Sequence, residues 1–326
     1  MDLDPLVSVD PTVSWSYFIP VSVEGAAIPF DEPNGGMRWI LPDSFQVIGA
    51  GFNHDKFSAA GLVPPSMWNR QWTWNDLVDL GRKLVRIGAD GRVEQYAAQV
   101  VTTWSRWPVW VHNAGGWYFD RLINPRESRL NTAPVTQALQ FLQDIFQKDR
   151  FAHSGSVADF RSGKAPIGLA VGPSHTALHI SMGNTWEYSF GPNPALVNGG
   201  SELSIFGRSI GATTKHVNEA WRWIKYLTVE TVVDNMRMTS ALPALIAAAQ
   251  KYQETVANAS PWDRVWPELL QRQDSYLRPV YSVEIRDTLQ QYINAIVSGQ
   301  KPVGIGLAEA HEQISAMLKE KWSGVK

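Results

Sequence analysis

The 326 residues leave room for two domains of about 150 residues each or for one large barrel. A hydrophobic content of 44%, 15 tryptophans and only 18% charged residues exclude the sparse, highly charged compositions that stay disordered. With 29 Lys plus Arg against 31 Asp plus Glu there is no global positive field for a phosphate backbone, which argues against nucleic acid as a partner. The absence of cysteine removes disulfides, thiol catalysis, Cys-based metal sites and a lipid-acceptor thiol.

Residues 1–50 are rich in Pro, Gly and aromatics without helix periodicity, and read as loops with short strands at RWILP and FQVIGAGF. The acidic start MDLDPLVSVDPTVSW lacks the basic n-region and apolar run of a signal peptide, and no later apolar run reaches the ~18 residues that span a bilayer. In QWTWNDLVDLGRKLVRIG, Thr73 is placed to cap a helix with Asp76 at N3, and Trp72 and Leu77 have the spacing of a hydrophobic staple. Trp74, Leu77, Val78, Leu84 and Val85 mostly share one stripe, which Gly88 and Asp90-Gly91 end.

A second helix is expected through VTQALQFLQDIFQKD, where Val135, Ala138, Leu139, Leu142, Ile145 and Phe146 recur at three and four and Pro134 fits the first turn. A short helical piece around Val157 and Phe160 and a turn at Ser162-Gly163-Lys164 lead into a strand, APIGLAV, closed by Gly172-Pro173. The loop GPNPALVNGG precedes a strand-like LSIFGRSIGA and the helix NEAWRWIKYLT; two more helices, IRDTLQQYINAIVSG and GLAEAHEQISAMLKEKW, close the chain. Alternating helices and strands predict an α/β fold.

Familiar catalytic signatures are missing: no GxGxxG after a strand, no GxxxxGK[ST], and no serine elbow in SGSVADF. Of the seven histidines only His175 and His179 have helix-face spacing, but Thr176 stands where a metallohydrolase needs Glu, so no metal or other cofactor is expected. The strongest signal is tryptophan, in WSRWPVW at 104, 107 and 110 and in NAGGWYFD with Trp117. An indole offers a broad apolar face and one N–H, suited to stacking on the C–H face of a sugar ring. On a helix, however, 104, 107 and 110 cannot all point into one cleft, so one or two of these rings are core.

Several segments, in order, resemble those of the extracellular solute-binding proteins of bacterial ABC importers, in the carbohydrate-binding, maltose-type group. They are ILPDSFQVIGAGFNHDKFSAAGLVPP, WTWNDLVDLGRKL, the Trp segment ending in NAGG, ALQFLQDIF, VADFRSGKAPIGLAVGPS, NEAWRWIKYLT and RPVYSVEIRDTLQQYINAIVSGQ, which together cover nearly all of residues 35–320. The resemblance implies a two-lobe periplasmic-binding-protein-like α/β fold with a ligand cleft between the lobes and crossings near 50–54, 205–208 and 252–262. It assigns residues 1–50 and 208–252 to a first lobe, and 54–205 and 262–326 to a second. Relatives carry about 100 further residues ahead of this stretch, most of a domain's worth, so the first lobe is expected to be incomplete.

Carried over by resemblance, the ligand-binding set is Phe45 and Gln46 near the hinge side, Trp104, Trp107 and Trp117 in the aromatic region, and Ser174 and His175 where relatives often present a Trp. Arg237 in a return strand and Arg278 and Tyr281 in a late segment complete it. The implied function is non-catalytic capture of a carbohydrate, expected to be an oligosaccharide, and its delivery to the importer's membrane permease. The natural parent would be extracytoplasmic, although this chain shows no signal peptide or lipobox. A homo-oligomer would cover the edges that a short first lobe exposes. Two other classes are an interaction module descended from such a binder, favoured by the short lobe and by Ser174, and a carbohydrate-active enzyme, which would need two carboxylates at catalytic separation.

Overall fold

The computed structural model describes residues 1–256 and 260–323. Thr73 starts the helix Trp74–Leu84 as its spacing predicts: its hydroxyl accepts the Asp76 N–H, and the Asp76 carboxylate accepts the Thr73 N–H in return. Arg70 adds two parallel bonds of 2.7 Å to the same carboxylate. Trp72 and Leu77, the staple pair, are both buried.

This helix belongs to the larger of two compact units, formed by Ile48–Val171, Met182–Ser201 and Arg272–Lys326. Its five-stranded sheet runs Ala152–His153, Ala98–Val100, Ile167–Val171, Gly49–Asn53, Tyr188–Gly191. The first three strands are parallel, and Gly49–Asn53 is antiparallel to both of its neighbours. Gly51 pairs with Gly168, and the Phe160 ring lies against both, where a Cβ would come within 2.5 Å and 2.4 Å of it respectively. The helices Ala133–Gln143, Val283–Val297 and Val303–Trp322 contribute Leu139, Leu142, Leu289, Ile293, Leu307 and Ile314 to one core. Phe52 is wholly buried with its ring 5.3 Å from that of Trp72.

Ile48 precedes that sheet in a buried pass between two strands. Its N–H donates to Ser201 Oγ, and its carbonyl accepts from the same hydroxyl and from Asn193 Nδ2 at 3.0 Å. A hydroxyl that both donates and accepts is suited to satisfying one buried peptide unit.

The smaller unit comprises Met1–Val47, Gly172–Ser181 and Glu202–Gln271. Leu41–Val47 is the central strand, antiparallel to Glu202–Arg208 on one side and Leu242–Pro243 on the other, with a bulge between Pro42 and Ser44. The opening segment is woven into this unit rather than left as a remnant. Leu3 and Phe18 are buried, Ile19 N–H donates to the Ala244 carbonyl, Arg38 and Trp15 Nε1 both reach the Asp4 carboxylate, and Trp221 Nε1 and Lys225 Nζ both reach Asp10. These ties correct the expectation that the first lobe is incomplete. A Pro- and Gly-rich stretch without periodicity conceals its order, because several of its ties are made with strands and helices about 200 residues later. The crossing expected near 252–262 includes 257–259, which lie outside the described residues. Among those described, no helix is long and apolar enough to cross a membrane.

The Arg70 pair, with bonds from Thr73, holds the Asp76 carboxyl down at about 2 against an ordinary 3.8. The stability this contributes is present above pH 3.8 and is lost as pH falls through about 2. Urea denaturation near neutral pH should show Thr73→Ala less stable than the parent by about 1 kcal/mol. The deficit of Asp76→Asn should shrink as the titration is repeated at falling pH; a deficit independent of pH would contradict the assignment.

Candidate functional site

The sequence-predicted residues divide between the units, and each group is described within its own. In the larger unit, a turn after strand Ala98–Val100 presents Trp104, and helix Pro108–Asn113 follows with Trp107 at its N-cap position. Trp107 and Trp110 are buried, whereas Trp104, in the turn ahead of the helix, is half-buried. Trp107 packs 4.7 Å from Tyr118, and its Nε1 is buried without a hydrogen-bond partner.

Two arginines meet the Trp104 ring. Arg278 Cζ lies 5.3 Å from its centroid and Arg286 Cζ 5.4 Å, both within cation–π range. Each comes from an anchored element. Gln290, one turn after Arg286 on helix Val283–Val297, donates to the Thr102 carbonyl at 2.9 Å. Val280, two residues after Arg278, donates to the Leu122 carbonyl at 2.7 Å, and its own carbonyl accepts from Asn124. Tyr281 then sits half-buried with its ring 5.0 Å from Phe119, and its hydroxyl accepts from Tyr118 at 3.4 Å.

Trp117 is half-buried between the His112 ring at 4.8 Å and the Tyr276 ring at 4.7 Å. His112 Nε2 donates to the Asp274 carbonyl, its Nδ1 is buried without a partner, and burial pushes its pKa below the ordinary 6.5, so the ring is a neutral imidazole. The Asp274 carboxylate, held at about 2 chiefly by Arg272, accepts the Gly199 N–H and fixes the neighbouring loop. Residues 117–122 with Pro279 line a cavity of about 130 Å³.

In the smaller unit, Phe45 faces the core at 2% exposure while its strand neighbour Gln46 is half-buried. A Cβ added at Gly172 would come 3.0 Å from the Val47 carbonyl and 3.8 Å from Gln46 Cγ, so the start of the 172–181 segment runs close beside Gln46. Ser174 is exposed, whereas His175 opens the helix His175–Ser181 and is buried, with its ring 6.0 Å from that of His179. Next to it, Thr176 Oγ1 lies 3.0 Å from both oxygens of Asp263, which also accepts from Trp266 Nε1 and the Ser260 N–H. Arg237 is exposed and paired with Asp234 one turn earlier. The stretch Arg237–Ser240, expected as a return strand, ends the helix Val232–Thr239 with Ser240 left-handed at φ 55°; the strand itself is Leu242–Pro243.

Sequence reasoning missed Arg286, His112, Asp274 and the Thr176–Asp263 bond. Arg286 lies in a helix that was foreseen, but nothing local marks which helical arginine will meet Trp104. Among the described residues no three His, Asp or Glu side chains converge as a metal site.

Residues 2–233 match the family model described as bacterial extracellular solute-binding protein. No curated protein matches the sequence significantly. Among solved structures, the chain is similar to an ABC substrate-binding protein from Listeria monocytogenes in complex with cycloalternan (17% identity, TM-score 0.81), over 98% of this chain and 80% of that one. It is similar to the cyclic alpha-maltosyl-1,6-maltose binding protein from Arthrobacter globiformis at 19% identity and TM-score 0.75, again over 98% and 80%. It is also similar to UgpB from Mycobacterium tuberculosis in complex with glycerophosphocholine, at 17% identity and TM-score 0.77, over 98% and 79%.

At such identities the likeness establishes the fold: a two-lobe periplasmic-binding-protein-like α/β architecture runs across nearly the whole chain. The expectation of an incomplete first lobe is corrected by the same findings, since the family match runs over residues 2–233 and the superpositions cover 98% of this chain.

Burial raises the Asp263 pKa above the ordinary 3.8 despite its hydrogen bonds. This group therefore favours folding fully below pH 3.8, and that contribution fades as pH rises through the raised folded value. In urea denaturation, Thr176→Val should cost about 1–3 kcal/mol and Thr176→Ser much less, because only the valine leaves the buried carboxyl short of a donor. Asp263→Asn should flatten the acid-side part of the stability profile, and an unchanged profile would refute the assignment.

Proposed function

The chain belongs to the bacterial extracellular solute-binding protein family, and from that premise we propose that it captures a carbohydrate outside the cytoplasm and delivers it to the membrane permease of an ABC importer. The family is one of non-catalytic binders, so affinity and selectivity, not turnover, are what its residues supply. Two observations support a sugar: similar proteins are described with cycloalternan and with cyclic maltosyl-maltose, and this chain offers tryptophans beside polar groups.

Trp104 carries the reading. It is the ring of the WSRWPVW segment that stays partly open while Trp107 and Trp110 enter the core. A sugar's C–H face stacking on such an indole gains apolar contact without giving up its hydroxyl hydrogen bonds at the rim. Trp117 and Tyr281, both half-buried, are the neighbouring aromatics of the same unit. Gln46 and the exposed Ser174 are the candidates in the smaller unit for reading hydroxyls. Phe45, His175 and Trp107 are buried in their own units and are not offered as ligand contacts.

The homo-oligomer covering exposed edges drew on a short first lobe and loses its reason with it, and the interaction module keeps only Ser174 in its support. Glycerophosphocholine in one similar structure widens the solute class to polyols that carry a phosphodiester.

Calorimetric titration of the folded chain with malto- and manno-oligosaccharides should give saturable heat for at least one. Trp104→Ala should weaken that ligand at least about tenfold, equal to ~1.4 kcal/mol, with its melting temperature close to the parent's. A well-folded sample giving neither heat nor thermal shift across the panel would refute sugar capture.

A further inference from the structure

The smaller unit also holds a groove of about 650 Å³, a size within the ~300–1,000 Å³ of small-molecule sites. It opens between the start of helix Pro20–Gly25, strand Leu242–Pro243 and the helices Ile246–Ala249, Tyr252–Thr255 and Val265–Gln271. All of its lining belongs to the smaller unit, and none of the residues offered above for a sugar takes part.

The lining is aliphatic with one charge. Leu242, Tyr252 and Leu270 line it from the buried side, and Ile19, Val21 and Ile246 are half-buried along it. Arg264 is the charged side chain of this lining, and no carboxylate accompanies it there. Among the described residues Arg264 makes no hydrogen bond or ion pair, and Glu268, one turn later, does not pair with it. The exposed side chains of Gln250 and Gln271 have no partner among the described residues either, which leaves amide donors beside the guanidinium.

The same lining disfavours two other occupants. A sugar ring would need an open aromatic face, whereas the Tyr252 ring is 1% exposed and its hydroxyl is spent on the Ser240 carbonyl. An extended peptide would need a free strand edge, whereas Pro243 has no N–H, the Ala244 carbonyl accepts from Ile19, and Leu245 already bridges to Phe18.

We propose that this groove binds a monocarboxylate with an aliphatic body, a fatty acid in chemical class. The chain lies along the isoleucine and leucine surface, where loss of water drives binding, and the planar fork of Arg264 takes both carboxylate oxygens. Gln250 and Gln271 are placed to donate to the same head group. The site is separate from sugar capture, so either can fail without the other.

Calorimetry on the full chain with octanoate, decanoate, dodecanoate and the neutral decanol, each kept monomeric, tests the groove. The acids should give saturable one-to-one heat, with affinity rising about two- to fourfold per added methylene. Decanol should bind about tenfold more weakly than decanoate. Arg264→Gln should weaken decanoate about tenfold, leave decanol unchanged and melt as the parent does, since Arg264 is exposed. Ala249→Phe, which fills the groove, should abolish binding of the acids and of decanol while leaving sugar binding unchanged. Should that variant fail to fold, the Arg264→Gln comparison still decides. No saturable heat from any acid, decanol binding as tightly as decanoate, or decanoate binding indifferent to Arg264→Gln would overturn the proposal. So would displacement of decanoate by a sugar that the chain binds. A dimer in sedimentation that Ala249→Phe dissolves would make a second copy the occupant and overturn it likewise.

Discussion

The peptide unit of Ile48 must give up water without a strand partner, and much of the architecture is arranged around that constraint. It lies in a buried pass between Leu41–Val47 and Gly49–Asn53, which belong to different sheets. Ser201 Oγ supplies both the acceptor and the donor, and Asn193 adds a second bond to the carbonyl. An unpaired buried amide would cost about 1–3 kcal/mol, so Ser201 and Asn193 are as necessary to this pass as the apolar residues around it.

The same solution recurs wherever a segment must be held without regular structure. The Asp274 carboxylate takes the Gly199 N–H while its carbonyl takes His112, which ties a glycine-rich loop to the aromatic group around Trp117. In the smaller unit Asp263 gathers Thr176, Trp266 and the Ser260 N–H, joining helix His175–Ser181 to the segment that follows residue 260. In each case one residue's side chain links stretches far apart in sequence, and the exposed residue beside it, such as Ser174, inherits a fixed position.

The aromatic residues divide by the same logic of burial. Trp72, Trp74, Trp107 and Trp110 fill the core of the larger unit, with Trp74 stacked 4.3 Å from Phe141. Trp104 is left at the surface with two arginines, and the tryptophan-rich composition thus serves stability first and recognition at a small remainder. A ring that is half-buried is both rigid enough to be pre-positioned and open enough to be touched.

By itself the sequence determined what is made between residues within a turn or two of each other. The Thr73–Asp76 capping box, the periodic faces of Ala133–Gln143 and Val283–Val297 and the short strand Ile167–Val171 all follow from local geometry. The order of its motifs also marked the family. Only the tertiary structure decided that residues 1–47 are built into a folded unit, that Arg237–Thr239 end a helix, and that Arg286 rather than another helical arginine meets Trp104. Those outcomes depend on contacts between elements more than 100 residues apart, such as Ile19 with Ala244 and Thr102 with Gln290, and no window of neighbouring residues carries them.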